Sequence, residues 1–310
     1  MSARDGARRW EVHLALAGAQ TGFALFPILG KLALGGIPPF LFAAFRVSAA
    51  ALLLEGIHRF GDPQPIRRED RPRLFLYALL GVSFNQVLFI LGLYYTTAIN
   101  TTILTATIPV LTLGAAALLG RERVTVRGVA GVVLAGAGAL ALLGAQRFAW
   151  SSDTFRGDLL LLANSTSYSL YLVLSRSVLD RYRVVPFTAT VFRYGAILIT
   201  VLAIPSLFRF EPRRVPPLAW GCLAGVVVFC TVVPYLLNSW ALARTHASRV
   251  AFFVFLQPLI STVLAIAVLG EGFTAGTAAA GLLILAGLAV TILPGGPAGA
   301  RDAVSAQELL

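Results

Sequence analysis

A set of polar and aromatic side chains lies deep inside long apolar stretches of this sequence. Asn164, Tyr168 and Tyr171 recur at spacings of four and three residues, which places them on one face of a helix. Amides and hydroxyls at such positions can hydrogen-bond a bound solute, and the aromatic rings supply an apolar wall. The candidate solute-binding residues of this kind are Gln20, Phe23, Asn85, Phe89, Asn164, Tyr168, Tyr171, Asn238 and Gln257.

A cavity lined by these groups suits a neutral or zwitterionic organic molecule that also has an apolar part. The alternative is that the same groups hydrogen-bond neighbouring helices, a contact typically worth under ~2 kcal/mol inside a membrane. Both interpretations are open, and we favour solute binding.

Two arginines occupy matching positions near the start of two apolar stretches. Arg46 and Arg193 each follow a proline by seven residues, so each lies about 10 Å along its helix. An arginine at the centre of a membrane helix costs roughly 2.5–3.5 kcal/mol, so a specific role is expected. That role is either to bind or gate a carboxylate-bearing solute or to clamp backbone carbonyls near helix kinks, and we favour the clamp.

Two prolines also occupy matching positions, in the middle of apolar stretches. Pro109 and Pro258 each lack a backbone N–H, which predicts a kink in both helices. In lipid the freed carbonyls need partners from neighbouring helices or a cavity. Gln257 directly precedes one kink and is therefore placed to line a pocket, although kinks that serve packing alone are the alternative.

Composition identifies the medium in which these residues must be positioned. Of 310 residues, 57% are hydrophobic and only 13% are charged, whereas a soluble domain has about 25% charged residues. The mean hydropathy is +0.81. These values exclude a soluble enzyme and a disordered or collagen-like chain, and they indicate a polytopic membrane protein.

The apolar stretches are long enough to cross a bilayer, whose core of about 30 Å needs roughly 20 residues of helix. The expected fold is an all-α integral membrane protein with ten transmembrane helices. The predicted spans are 12–34, 39–57, 74–95, 98–119, 126–144, 157–175, 185–208, 217–241, 246–269 and 274–293.

The two halves of the chain repeat each other. A shift of 149 positions places Pro109 on Pro258, and a shift of 147 places Arg46 on Arg193. Each repeat contains five helices, an odd number, so the second repeat is expected to be inverted in the membrane. The predicted units are a first repeat over 1–147, an inverted repeat over 148–293 and a mobile C-terminal tail over 294–310.

Basic residues predict the orientation of the chain. With the N-terminus inside, cytoplasmic segments hold 17 of the 25 basic residues and outer segments hold six. The positive-inside rule therefore places both termini in the cytoplasm, and the protein in the inner (plasma) membrane. Because topology accounts for the net charge of +11, no nucleic-acid partner is expected.

Other kinds of site are not expected. Cys222 and Cys230 are eight residues apart in one apolar stretch, too far for a disulfide, and the three histidines are scattered, so no metal site is predicted. No phosphate loop is present, and the glycines from Gly136 match a dinucleotide fingerprint only in letters, so no cofactor is predicted. The absence of a mid-membrane carboxylate argues against proton-coupled export of cationic drugs.

The order and spacing of short motifs resemble the drug/metabolite transporter superfamily, EamA family. Each half has Pro-x6-Arg in its second helix and a proline inside its fourth, followed by Gly-Arg-Glu-Arg in one half and Gly-Glu-Gly in the other. The resemblance covers residues 12–293. It implies a ten-helix inner-membrane carrier, not an enzyme, that exports or exchanges small metabolites across the bilayer.

We expect a secondary transporter that works by alternating access, as a monomer or weak dimer. Integral membrane enzymes and receptors or channels are the alternatives. An enzyme acting on lipid-linked substrates would need a cluster of acids, histidines or metal ligands at the interface, and a channel usually needs an oligomeric pore.

The predicted topology can be tested with single cysteines in a chain whose two native cysteines are replaced by serine. A membrane-impermeant maleimide added to intact cells should label Arg213→Cys at once and Arg68→Cys only after permeabilisation. Labelling of both positions from the same side would contradict the predicted topology.

Overall fold

The structure is a computed structural model that describes residues 3–34, 36–61, 63–96, 98–143, 155–208, 210–269 and 275–292. These residues form helices joined by short turns, without a strand among them. The predicted tail at 294–310 lies outside the described residues. Five helices in the described part are long and apolar enough to cross a membrane, and three shorter apolar helices accompany them. The five are Pro39–Phe60, Arg68–Gly92, Val184–Leu207, Pro217–Leu242 and Ala247–Leu264.

The described residues contain fourteen α-helices. In chain order they are α1 (Ala3–Leu34), α2 (Pro39–Phe60), α3 (Arg71–Ala78), α4 (Phe84–Tyr95), α5 (Ala98–Thr105), α6 (Ile108–Leu118), α7 (Val126–Leu143), α8 (Phe155–Leu179), α9 (Val184–Leu207), α10 (Pro217–Val227), α11 (Val233–Leu242), α12 (Ala247–Phe252), α13 (Leu256–Leu269) and α14 (Ala275–Ile292).

Two of the predicted spans contain a π-helical turn in the middle. The turn Leu79–Ser83 joins α3 to α4, and the turn Val228–Val232 joins α10 to α11, at an offset of 149 residues. The sequence predicts no interruption in the first of these spans. In the second, Pro234 predicts a kink like those at Pro109 and Pro258. It is the second residue of α11 and cannot donate a backbone hydrogen bond.

The two prolines predicted to kink their helices do interrupt them. Helix α5 ends at Thr105, and α6 starts at Ile108 with Pro109 in its first turn. Helix α12 passes through the 3₁₀ turn Phe253–Phe255 into α13, whose third residue is Pro258. The predicted interruptions are therefore confirmed.

The helices pack in reciprocal pairs. Helix α2 lies against α9, and α7 lies against α14. Helix α1 contacts α10, α11 and α13, whereas α8 contacts α4, α5 and α6. Both α1 and α8 thus pack against helices distant in sequence, and the interrupted helices are covered by α1 and α8.

Glycines bring α7 and α14 into backbone contact. A Cβ added at Gly287 would lie 2.5 Å from the backbone nitrogen of Ala135, and one added at Gly138 would lie 2.7 Å from the carbonyl oxygen of Ala280. Small residues allow such an approach between membrane helices. Such a close approach is typical of helices whose role is packing.

Gly287→Ala should destabilise the protein by roughly 1–3 kcal/mol, because the added methyl group overlaps the backbone of α7. Gly114 provides the matched control, since a Cβ there meets nothing within 4 Å. Gly114→Ala should be neutral or stabilise by up to about 1 kcal/mol through helix propensity. Thermal unfolding of the purified variants in detergent, followed by tryptophan fluorescence, measures both; equal melting temperatures would refute the close contact.

Candidate functional site

One face of α8 hydrogen-bonds the span that contains the first π turn. The side-chain amide of Asn164 donates to the carbonyl oxygen of Asn85 at 2.6 Å, and the Ser167 hydroxyl donates to that of Leu80 at 2.9 Å. Helix interruptions leave backbone groups that lipid cannot satisfy. Asn164, a predicted solute ligand, therefore has a backbone partner in this conformation, and Asn85 contributes its backbone oxygen.

A second face of α8 donates hydrogen bonds to the helix that is interrupted before Pro109. The hydroxyls of Ser165 and Ser169, one turn apart, donate to the carbonyl oxygens of Leu104 at 3.1 Å and Ile108 at 3.2 Å. These acceptors flank the break between α5 and α6. The sequence analysis did not select the two serines, although the polar run 164–169 inside an apolar span is a visible signal.

A buried group of tyrosines lies between α8 and α11. The Asn238 side-chain amide donates to the Tyr168 hydroxyl at 3.2 Å, and the rings of Tyr168 and Tyr171 stack with centroids 5.9 Å apart. The Tyr235 hydroxyl donates to the Gly81 carbonyl oxygen at 3.3 Å. The Oδ1 atom of Asn238 is buried without a hydrogen-bond partner among the described residues. Three predicted site residues thus meet here, together with Tyr235, which the prediction left out.

Two predicted amides meet between α1 and α13. The Gln257 side-chain amide donates to the Oε1 atom of Gln20 at 2.7 Å, although the residues are 237 positions apart in sequence. Gln20 is buried, and Gln257 is the residue before Pro258. The hydrogen bond therefore joins the first helix to the interrupted ninth span.

Two groups of aromatic rings each include one residue that interacts with Arg46, namely Phe26 in one group and Tyr235 in the other. The Arg46 guanidinium carbon lies 4.7 Å from the centroid of Phe26, whose ring in turn lies 6.5 Å from Phe89 and 6.2 Å from Phe42. The rings of Phe23 and Phe192 meet Tyr235 edge to face at 5.6 and 4.8 Å. We call these rings the central aromatic cluster: Phe23, Phe26, Phe42, Phe89, Phe192 and Tyr235.

The two matched arginines have different surroundings. Arg46 is 5% exposed and forms no ion pair or hydrogen bond within the described part of the chain. The Arg193 side chain is 43% exposed, and its Nη1 lies 3.5 Å from Oε2 of Glu55. Neither arginine hydrogen-bonds a backbone carbonyl in the described structure, so the clamp favoured by the sequence analysis is not observed for them.

A family comparison matches both halves of this structure. Residues 10–144 and residues 155–293 each match the sequence profile of the EamA-like transporter family. The chain belongs to this family. The resemblance stated from the sequence motifs is thereby confirmed, and the protein is a multi-pass membrane protein of a transporter family.

Individual relatives of this EamA-like protein carry transporter names. It is 31% identical to an uncharacterized transporter of Archaeoglobus fulgidus over 91% of this chain and 97% of the other. Identity to the uncharacterized transporter YyaM of Bacillus subtilis is 26%, over 83% and 87% of the two chains. The protein WALLS ARE THIN 1 of Arabidopsis thaliana is 25% identical, over 90% of this chain and 81% of its own. A solved crystal structure with 20% identity aligns with a TM-score of 0.77 over 91% and 96% of the two chains, which shows the same fold.

A hydrogen-bonded group in the loops of this EamA-like protein was missed by the sequence analysis. The buried Asp70 carboxylate accepts a hydrogen bond from the Tyr182 hydroxyl at 2.7 Å and lies 3.3 Å from Nη1 of Arg181. Burial and the hydrogen bond to Asp70 raise the pKa of Tyr182. The Gln64 side chain accepts from the backbone N–H of Arg183 at 2.8 Å. The loop before α3 is therefore fastened to the turn between α8 and α9.

Two shallow surface depressions lie away from the predicted solute ligands. One of about 400 Å³ is lined by Gln64, Pro65, Arg67, Arg181 and Tyr182. The other, of about 630 Å³, lies between α1, α9 and α11 and has a largely apolar lining. The predicted ligands instead contact one another, the backbone or neighbouring aromatic rings. Cys222 and Cys230 are free and buried, and the described residues contain no cluster of three potential metal ligands.

Ser167→Ala should destabilise the EamA-like protein by about 0.6–1.7 kcal/mol, because the Leu80 carbonyl in the π turn loses its side-chain donor. Thr166→Val is the control, since the Thr166 hydroxyl bonds only Leu162 of its own helix and is exposed. Thermal unfolding in detergent compares the two variants. A control that loses as much stability as Ser167→Ala would contradict the role assigned to α8.

Proposed function

We propose that this protein is a secondary carrier for small organic solutes, neutral or zwitterionic with an apolar part. The observation that carries the proposal is the hydrogen bond between Gln20 and Gln257. It joins the buried amide of Gln20 to the half-buried amide of Gln257 at an interrupted helix, and each amide can exchange its partner for a polar group of a solute. Membrane carriers place their solute sites at such broken helices near the midplane.

The proposal includes two inverted repeats, over residues 1–147 and 148–293, followed by the tail at 294–310. Two separate matches to one family profile support it, as do π turns and proline breaks that each recur after 149 residues. The first helix of each half also packs against the other half: α1 contacts α10, α11 and α13, and α8 contacts α4, α5 and α6. Each repeat has five helices, which is an odd number, so the second repeat has the opposite orientation in the membrane.

Alternating access follows from rocking of the two repeats about the paired amides. The distribution of basic residues assigns the loops near Asp70 and Tyr182 to the cytoplasm, with both termini on that side of the plasma membrane. There the Asp70 contacts join the two repeats. A second link forms where the Glu122 carboxylate accepts from the backbone N–H of Ser248 at 3.3 Å and from its hydroxyl. These links close the cytoplasmic side, and inward release requires them to break.

Gln20→Leu and Gln257→Leu should each lower the initial rate of solute exchange at least about tenfold, because one lost hydrogen bond of roughly 1.4 kcal/mol changes an equilibrium by that factor. Thr21→Val is the control, since the Thr21 hydroxyl bonds only Ala17 of its own helix. The assay uses proteoliposomes preloaded with solute and a panel of amino acids, nucleosides, sugars and amphipathic drugs.

Both glutamine variants must be folded for this comparison, so their melting temperatures are measured in the same preparation. If folded Gln20→Leu and Gln257→Leu exchange solute as fast as the wild type, the amide site is refuted. If the wild type moves no member of the panel in either direction, the carrier proposal fails for these solute classes.

A further inference from the structure

Arg46 is a buried cation without a counter-charge. It is 5% exposed, and its Nε atom has no hydrogen-bond partner among the described residues. In that part of the chain, Arg46 interacts with three aromatic or titratable groups and with no other charged group. It lies over the ring of Phe26 and interacts electrostatically with Tyr235 and Cys230. A buried charge is costly unless it is paired, and the face of one phenylalanine offsets only part of that cost.

Arg193, the repeat-related arginine, has a carboxylate partner of the kind that Arg46 lacks among the described residues. Arg193 lies in α9 beside α2, and Glu55 at the far end of α2 supplies its carboxylate. A shift of 147 positions places Leu202 where Glu55 would recur in the second half. Leu202 has no charge, so the described part of the chain provides an acid for Arg193 and none for Arg46.

We propose that Arg46 binds the carboxylate of the transported solute. This inference rests on the proposed carrier function and specifies a solute with one carboxylate, which is either a zwitterion of the proposed class or, beyond that class, the monoanion of an organic acid. The planar guanidinium can donate two parallel hydrogen bonds to the two oxygens of a carboxylate. The same pairing supplies the counter-charge that the protein itself lacks.

The surroundings of Arg46 also specify the rest of the solute. The central aromatic cluster begins at Phe26, which stacks against the guanidinium, and includes Tyr235. An apolar or aromatic body attached to the carboxylate has rings to pack against. A solute with one negative charge cancels the charge of Arg46, whereas a dianion such as a phosphate monoester would leave one negative charge buried without a partner.

Matched acid and amide probes test the proposal in purified protein. The first pair is 3-phenylpropionate and 3-phenylpropionamide, and the second is L-phenylalanine and L-phenylalaninamide. Dissociation constants come from the increase in melting temperature with probe concentration in detergent. The wild type should bind each acid roughly 10- to 100-fold more tightly than its amide, as expected for hydrogen bonds to a charged group.

Three variants assign that preference to one side chain. Arg46→Gln should bind acid and amide within about threefold of each other, and Arg46→Lys should keep a reduced preference. Arg193→Gln should keep the acid preference, because Arg193 already has Glu55 as its partner. The proposal is overturned if Arg46→Gln keeps the acid preference of the wild type. It is also overturned if the wild type prefers the acid in neither pair.

A further variant covers the case in which Arg46→Gln does not fold. Cys230 interacts electrostatically with Arg46, so Cys230→Asp places a carboxylate of the protein near the guanidinium. This variant should lose the acid preference while it retains Arg46, since the internal carboxylate occupies the site. An unchanged acid preference in folded Cys230→Asp counts against the proposal.

Binding and carriage are measured separately, so the two proposals can fail separately. Proteoliposomes that exchange the amide probes without any acid preference would leave the carrier function intact and refute the role of Arg46. Conversely, the protein in detergent could bind the acids through Arg46 while proteoliposomes move no probe. That result would support the Arg46 site and refute the carrier function.

Discussion

A backbone carbonyl in the hydrocarbon core of a membrane has no water to bond, so an interrupted helix must obtain donors from its neighbours. The described structure contains four interruptions, two π turns and two breaks before proline. Helix α8 supplies side-chain donors for two of them, through Asn164 and Ser167 on one face and Ser165 and Ser169 on another. The packing of α8 against α4, α5 and α6 follows from this requirement.

The sequence predicts the helical architecture well where a residue has an unambiguous backbone effect. Proline has no N–H, and both breaks appear where Pro109 and Pro258 place them. The first π turn escaped prediction because it changes the hydrogen-bond register by one residue and carries no comparable signature. Residues 79–83 contain only Leu, Gly, Val and Ser.

Contacts between distant helices limit prediction of the site. Helix periodicity places Tyr168 and Tyr171 on one face, and the structure stacks their rings. Periodicity carries no information about register between helices, so neither the pairing of Asn238 with Tyr168 nor that of Arg193 with Glu55 could be predicted. Asn164 illustrates the ambiguity of a buried amide, since its type fits a ligand and its observed partner is a backbone carbonyl.

The position of α8 in the chain also has a consequence for biosynthesis. Residues 79–108, which contain the carbonyls that α8 satisfies, are made and inserted before residues 164–169 leave the ribosome. The early helices therefore enter the membrane with incomplete backbone bonding and depend on water, lipid headgroups or the insertion machinery until α8 arrives. Although the two halves of the gene product look like separable copies, the first copy reaches its final packing only when part of the second has been translated.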